Sequence, residues 1–127
     1  MKEKCMKQII DEYIKAYNEF NVKEMLKNIH EDVEFKNIAN SEINMQLKGI
    51  DALRDQAEQA VNLFEKREMK IIEQVIKGDT VENKIEFKGV FATDIPDDPK
   101  SGEPVKLEGK SIFQFEKGKI ILIEDIS

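Results

Sequence analysis

The sequence predicts an α+β fold in which helices come first and a curved antiparallel sheet comes second, the two enclosing a small pocket. Two patterns carry this expectation. Apolar residues recur at three- and four-residue steps through most of the first half, then alternate at period two in long segments to the end. A third observation sets the scale: 127 residues, 40% hydrophobic with seven Phe, is the common size of one domain with a packed core. Such a chain needs no disulfide or metal staple.

The helical half begins with Met6, Ile9, Ile10, Tyr13, Tyr17 and Phe20, one apolar stripe down a helix of about five turns. Lys7, Glu12, Lys15 and Glu19 take its wet face. Asn21 reads as an N-cap with Glu24 three residues on, and Val22, Met25, Leu26 and Ile29 repeat the stripe in a shorter second helix. Val33 and Phe35 then alternate with Glu34 and Lys36 in a short strand, and the polar stretch from Asn37 to Asn44 reads as loop. Gly49 precedes a third helical stripe of Ile50, Leu53, Ala57, Ala60, Val61 and Phe64.

Beyond Lys66 the chain reads as strands: Met69 to Lys77, a Gly78-Asp79 turn, Thr80 to Ala92, then Val105 to Lys117, a Gly118 turn, and Lys119 to Ile126. In the second of these, Val81, Ile85, Phe87, Gly89 and Phe91 share one face and Glu82, Lys84, Glu86 and Lys88 the other, as in a sheet wet on one side. Leu107, Gly109, Ser111, Phe113 and Phe115 form the matching inner face of the third. The last strand is apolar on both faces, so helices or pocket should cover one side and another sheet or subunit the other; a homodimer through the sheet is the expectation that follows. The segment from Thr93 to Pro104 holds all three prolines and is expected to form a lip or lid rather than a strand.

Composition excludes several classes of function. A net charge of −6 disfavours nucleic acid and anionic lipid, and no basic stripe is interleaved with aromatics. No apolar run approaches the ~20 residues of a membrane span, and the charged start lacks the apolar stretch of a secretory signal, so a cytoplasmic protein is expected. Cys5 is the only cysteine, which forbids an internal disulfide and a thiolate zinc cluster. Asp97 and Asp98 are adjacent and lack the alternating spacing of a calcium loop. Neither metal nor cofactor is expected.

The helix-corner-helix ending Ile29-His30-Glu31-Asp32, then Gly49-Ile-Asp-Ala-Leu-Arg54, then Phe115-Glu-Lys-Gly-Lys-Ile120, in this order and spacing, resemble the nuclear transport factor 2-like superfamily over nearly the whole chain. The strongest local pieces are similar to its ketosteroid isomerase and SnoaL-like polyketide cyclase branches. That resemblance implies three helices packed on a strongly bent, mixed, mainly antiparallel sheet, leaving a cone-shaped pocket (the cystatin-like architecture).

The resemblance also implies roles. Isomerases of this kind use a helix-one tyrosine, which matches Tyr13, and a sheet acid and a proton-moving aspartate, which fall on Ser111 and Asn37. An amide has no useful basicity near neutral pH, so the isomerase base is missing here. SnoaL-like cyclases use an acid on the final strand, which matches Asp125, and often a histidine partner, whose place Ser111 takes. Asp125 would follow Ile121 and Ile123 at the end of an apolar wall, where desolvation raises a carboxyl pKa.

Asp125 is therefore the catalytic candidate, with Tyr13, Tyr17, Phe35, Asn37, Phe87, Ser111 and Phe113 as ligand-binding candidates. Each has a plainer reading as well: the tyrosines and Phe residues as core, Asn37 as a turn residue, Ser111 as strand packing, Asp125 as a solvated or paired acid. His30, two residues before Asp32, reads as a helix-end or turn residue. The expected partner is a small apolar or amphipathic ligand, with proton transfer next to a carbonyl as the chemistry such a site supports: isomerisation, cyclisation or dehydration. The rival is a noncatalytic binding or assembly module.

Overall fold

The computed structural model describes residues 1–92 and 104–127. Helix α1, Glu3–Asn18, buries Met6, Ile10, Tyr13, Ile14 and Ala16. It ends in a Schellman turn: Asn21 N–H donates to the Ala16 carbonyl at 2.9 Å and Phe20 N–H to that of Tyr17 at 3.2 Å. The left-handed position of this turn is Phe20, at φ 59°. Glycine is the usual occupant because a Cβ there costs roughly 1–2 kcal/mol.

Asn21 caps α2, Val22–Met25, by accepting from the Glu24 N–H at 3.1 Å. This helix is shorter than the stripe through Ile29 suggests. Ile29 instead opens strand β1, Ile29–Ala39, because Ile120 N–H claims the Asn28 carbonyl and draws the chain into the sheet.

The stretch from Asn37 to Asn44, expected as loop, is instead a hairpin. β1 continues through it and returns as β2, Glu42–Lys48, around Asn40 and Ser41 at φ 54° and 65°. Two consecutive positive φ values are what a tight hairpin of right-twisted strands requires, and Asn tolerates them. β2 is a mostly exposed edge strand, so it has no reason to show an apolar face, and the alternation that marks strands is absent from its sequence.

Helix α3, Ile50–Val61, follows, burying Leu53 and Ala57. Phe64 does not continue it; strand β3, Phe64–Lys77, starts there and pairs with β4, Thr80–Phe91, through the Gly78-Asp79 turn. β5, Pro104–Glu116, and β6, Lys119–Ile126, complete the sheet. Pro104 belongs to the ladder after all, opposite Val90, as the first residue of its strand, where a missing N–H is tolerated. The remainder of the expected lip, with Asp97 and Asp98, lies outside the described residues.

The six strands of the described residues form one sheet in the order β2-β1-β6-β5-β4-β3, antiparallel throughout except for the parallel pair β1–β6. Register shifts interrupt its ladders, with extra residues in β2, β3 and β6, and such bulges bend strands and increase their twist. The shift in β6 changes which residues face inward. Phe113 pairs with Ile123 but Phe115 pairs with Ile120, so Ile121 is the extra residue. Ile120 and Ile123 are buried, and Ile120 takes the inner place that strict alternation assigns to Ile121. The core lies between α1 and this inner face, with Phe113 fully buried and edge-on to Tyr13 at 5.5 Å between centroids. Among the described residues no helix is long and apolar enough to cross a membrane.

Candidate functional site

One row of cross-strand neighbours defines the site. Asn37 on β1 stands beside Asp125 on β6, Asp125 beside Ser111 on β5, Ser111 beside Asn83 on β4, and Asn83 beside Gln74 on β3. These polar residues share one line across the sheet, and the four from Gln74 to Asp125 are hydrogen-bonded along it. Gln74 Nε2 donates to Asn83 Oδ1 at 2.8 Å, Asn83 Nδ2 to the Ser111 carbonyl at 3.1 Å, and Ser111 Oγ to Asp125 Oδ1 at 2.8 Å. Asn83 and Ser111 are buried, so the row is affordable only because each member finds a partner. Asp125 terminates it, and its Oδ2 accepts no hydrogen bond from any described residue.

Asp125 borders two adjoining cavities. One, of about 280 Å³, runs under α1 and α3 and is lined by Tyr13, Tyr17, Phe35, Asn37, Phe64 and Arg67 among others. The second, of about 210 Å³, opens toward the far ends of β4 and β5 past Met69, Ile85, Phe87 and Leu107. Tyr17, Asn37 and Asp125 line both. Gly109 belongs to the wall of the second cavity, where a side chain would meet the Ile126 carbonyl.

Burial lifts the Asp125 carboxyl from an ordinary 3.8 to about 6, against the opposing pull of the Ser111 hydrogen bond. Burial likewise pushes the Tyr13 phenol well upward, with the negative charge of Asp125 adding to it. Tyr17 rises to about 12, chiefly by burial, although the Arg67 guanidinium beside it opposes the shift. Near neutral pH the site therefore holds a carboxylate that can take up a proton and two phenols that stay protonated.

Of the residues expected from sequence, Asp125, Tyr13, Tyr17, Phe35, Asn37 and Phe87 border the two cavities. Ser111 and Phe113 line neither. Ser111 sits behind Asp125, where its hydroxyl is used up on the carboxylate, and Phe113 is core beneath Tyr13. Asn37 donates through Nδ2 to Asn44 Oδ1 at 2.9 Å, across the unforeseen hairpin. His30 is outside the site and, against expectation, is neither a helix end nor a turn residue: it lies in β1, where its Nδ1 accepts the Asp32 N–H at 2.9 Å. Cys5 is exposed on α1. Among the described residues no cluster of three metal-ligating side chains exists.

Three participants escape the sequence reading: Arg67, Asn83 and Gln74. Asn83 was legible in principle, since it falls at the alternate position between Val81 and Ile85 on the inner face. Arg67 had no such signal. Its neighbours Lys66 and Glu68 are charged, and nothing in the local string separates one buried cation from two wet residues.

A helical N-terminal region packed on a six-stranded mixed sheet is the architecture of the nuclear transport factor 2-like class of cystatin-fold proteins. Within that class, the chain belongs to the SnoaL-like domain family, which matches residues 10–123. Its fold is similar to that of a polyketide cyclase described as putative from Xanthomonas campestris pv. campestris, with TM-score 0.82 at 19% identity, covering 98% of this chain and 90% of that one. TsrD from Streptomyces laurentii is similar at TM-score 0.80 and 20% identity, over 98% and 89% of the two chains. An epoxide hydrolase of the LEH-like type from M. tuberculosis is similar at TM-score 0.74 and 13% identity, over 94% and 79%. At these identities the likeness is one of fold. No functionally curated protein matches the chain in sequence.

Proposed function

We propose that the protein binds a small, largely apolar ligand in the two adjoining cavities and moves a proton on a carbon next to its carbonyl group, with Asp125 as the base. The observation that carries this reading is the placement of Asp125: a carboxyl with a folded-state pKa of about 6, on the wall of both cavities, held through one oxygen by Ser111. A general base works best when its pKa lies near the operating pH, and burial has moved this one there. The cyclase and epoxide hydrolase descriptions among the similar folds are compatible with such a pocket.

In this reading the ionised Asp125 takes a proton from the carbon beside the carbonyl and returns it to the same or a conjugated position. Negative charge then develops on the carbonyl oxygen. The phenols of Tyr13 and Tyr17 are the donors available to it, and their raised pKa values keep them protonated through the cycle. Ser111 contributes by fixing the carboxylate, not by touching the ligand. Asn37, which stands where the isomerase branch has its base, supplies an amide that cannot take the proton.

The test uses 2-tetralone, a bicyclic ketone with exchangeable protons next to its carbonyl, incubated with the protein in D2O and followed by ¹H NMR. The wild-type protein should accelerate exchange, and Asp125→Asn should lower that acceleration by roughly 10²-fold or more, the usual contribution of a positioned acid or base. Exchange that is unaffected by Asp125→Asn removes Asp125 from the chemistry. Absence of any acceleration by the wild-type protein leaves the noncatalytic binding module as the better account.

A further inference from the structure

Arg67 is a buried cation with no carboxylate partner among the described residues, and only 6% of its surface is exposed. Its Nε donates to the Tyr17 carbonyl at 2.8 Å, while Nη2 is buried with no hydrogen-bond partner, alone in this among the side-chain atoms of the described residues. The guanidinium carbon lies 3.7 Å from the centroid of the Tyr17 ring and 4.6 Å from that of Phe20. Two aromatic contacts return about 0.5–2 kcal/mol each, whereas taking a charge out of water costs several kcal/mol. The shortfall calls for a counter-charge.

The surroundings hold this arginine in place at a cost elsewhere. Phe20 reaches it from a left-handed backbone position that a glycine would fill more cheaply. Two residues along β3, the Met69 N–H donates to Asn18 Oδ1 at 2.7 Å and the Asn18 amide donates back to the Met69 carbonyl at 3.1 Å, tying the end of α1 to the strand beside Arg67. Across the ladder from Arg67 stands Gly89, which leaves room for the rings of Phe64 and Phe87. Arg67 and Asp125 line the same 280 Å³ cavity, otherwise walled mainly by apolar side chains such as Met25, Phe35, Leu53 and Phe64.

We propose that Arg67 is the acid-recognition residue of this cavity and that the natural ligand is a compact ring compound bearing a carboxylate, which pairs with the guanidinium while the ring fills the apolar walls. The proposal deepens the ligand-binding reading above and rests on it. A planar, always-charged guanidinium suits a carboxylate better than any other cation in a protein does. Asp125 then faces a different part of the same ligand, since two anions would repel if placed together. The substrate class is thereby narrowed from ketones in general to ring acids.

The test compares 2-naphthoate with its neutral isostere 2-naphthamide by isothermal titration calorimetry. The wild-type protein should bind the acid at least tenfold more tightly than the amide, Arg67→Lys should keep part of that preference, and Arg67→Met should abolish it. The chain has only two arginines, Arg54 and Arg67, so ¹⁵N-arginine labelling with an Arg54→Lys control assigns the Arg67 Nε resonance. That resonance should move on adding naphthoate and stay put with naphthamide.

If Arg67→Met fails to fold, the wild-type preference and this resonance decide the matter by themselves. Equal affinity for the two probes, or a preference that survives Arg67→Met, overturns the assignment of Arg67 alone. Failure of both probes to bind overturns it together with the ligand-binding reading of the cavity.

Discussion

Replacing Asp125 by Asn should make the protein more stable at neutral pH and leave it unchanged in acid. A carboxyl whose folded-state pKa is about 6 against an ordinary 3.8 binds its proton more tightly in the folded protein. The stability it lends is fully present below about pH 4, where both states are protonated, and is lost as pH rises through 6. The gap of about 2.2, at about 1.36 kcal/mol for each, amounts to roughly 3 kcal/mol, reduced somewhat by water in the cavities. Asparagine keeps the oxygen that Ser111 bonds and never ionises. Urea unfolding from pH 4 to pH 8 should therefore show the two proteins converging near pH 4 and the variant ahead by about 2–3 kcal/mol above pH 6.5.

The comparison is between two proteins that share every other titrating group. Glu108 and Lys110 beside one cavity, and Tyr13, Tyr17 and Arg67 beside the other, are present in both and cancel in the difference. A constant difference across this range, or a wild-type protein that gains on the variant as pH rises from 4 to 6, would refute the reasoning. It would mean that Asp125 is solvated rather than held in a dry wall.

Two further outcomes follow from the supporting residues. Ser111→Ala removes the one hydrogen bond that favours the ionised carboxyl, so the Asp125 pKa should climb above 6, which ¹³C NMR titration of the labelled carboxyl would read; a fall would contradict the row of bonds described above. Asn18→Ala releases the paired bonds to Met69 and should cost about 1–3 kcal/mol in chemical unfolding, with the Arg67 Nε resonance displaced as β3 loosens from α1; an unchanged resonance would show that Arg67 is positioned without them.

The order of helices and long strands was open to reading because most elements bury one face, and a buried face imposes a period on the sequence. α1 and β4 show this plainly. β2 was not legible, since an edge strand exposed on both sides needs no apolar alternation, and its hairpin depends on two left-handed residues that look like ordinary polar loop. The bulge at Ile121 escaped for a related reason. In the unbroken apolar run Ile120–Ile123, one extra residue leaves no mark on the pattern while exchanging which isoleucine faces the core.

The site divides the same way. Sequence by itself determined that Asp125 ends an apolar strand and that Tyr13 and Tyr17 lie on one helical stripe, and the resemblance implied that an amide, Asn37, stands where the isomerase branch has its base. Those are properties of neighbours along the chain and of a resemblance in the order of motifs. Only the tertiary structure decided that Ser111 turns its hydroxyl to Asp125 and not to the pocket, that Asn83 and Gln74 extend the row, and that Arg67 lies buried against Tyr17 and Phe20. Each of those contacts joins residues brought together by strand register or by helix packing on the sheet. A hydrogen bond between residues 14 apart, and a cation over a ring 50 residues away, are set by how the sheet bends and not by any local preference of the chain.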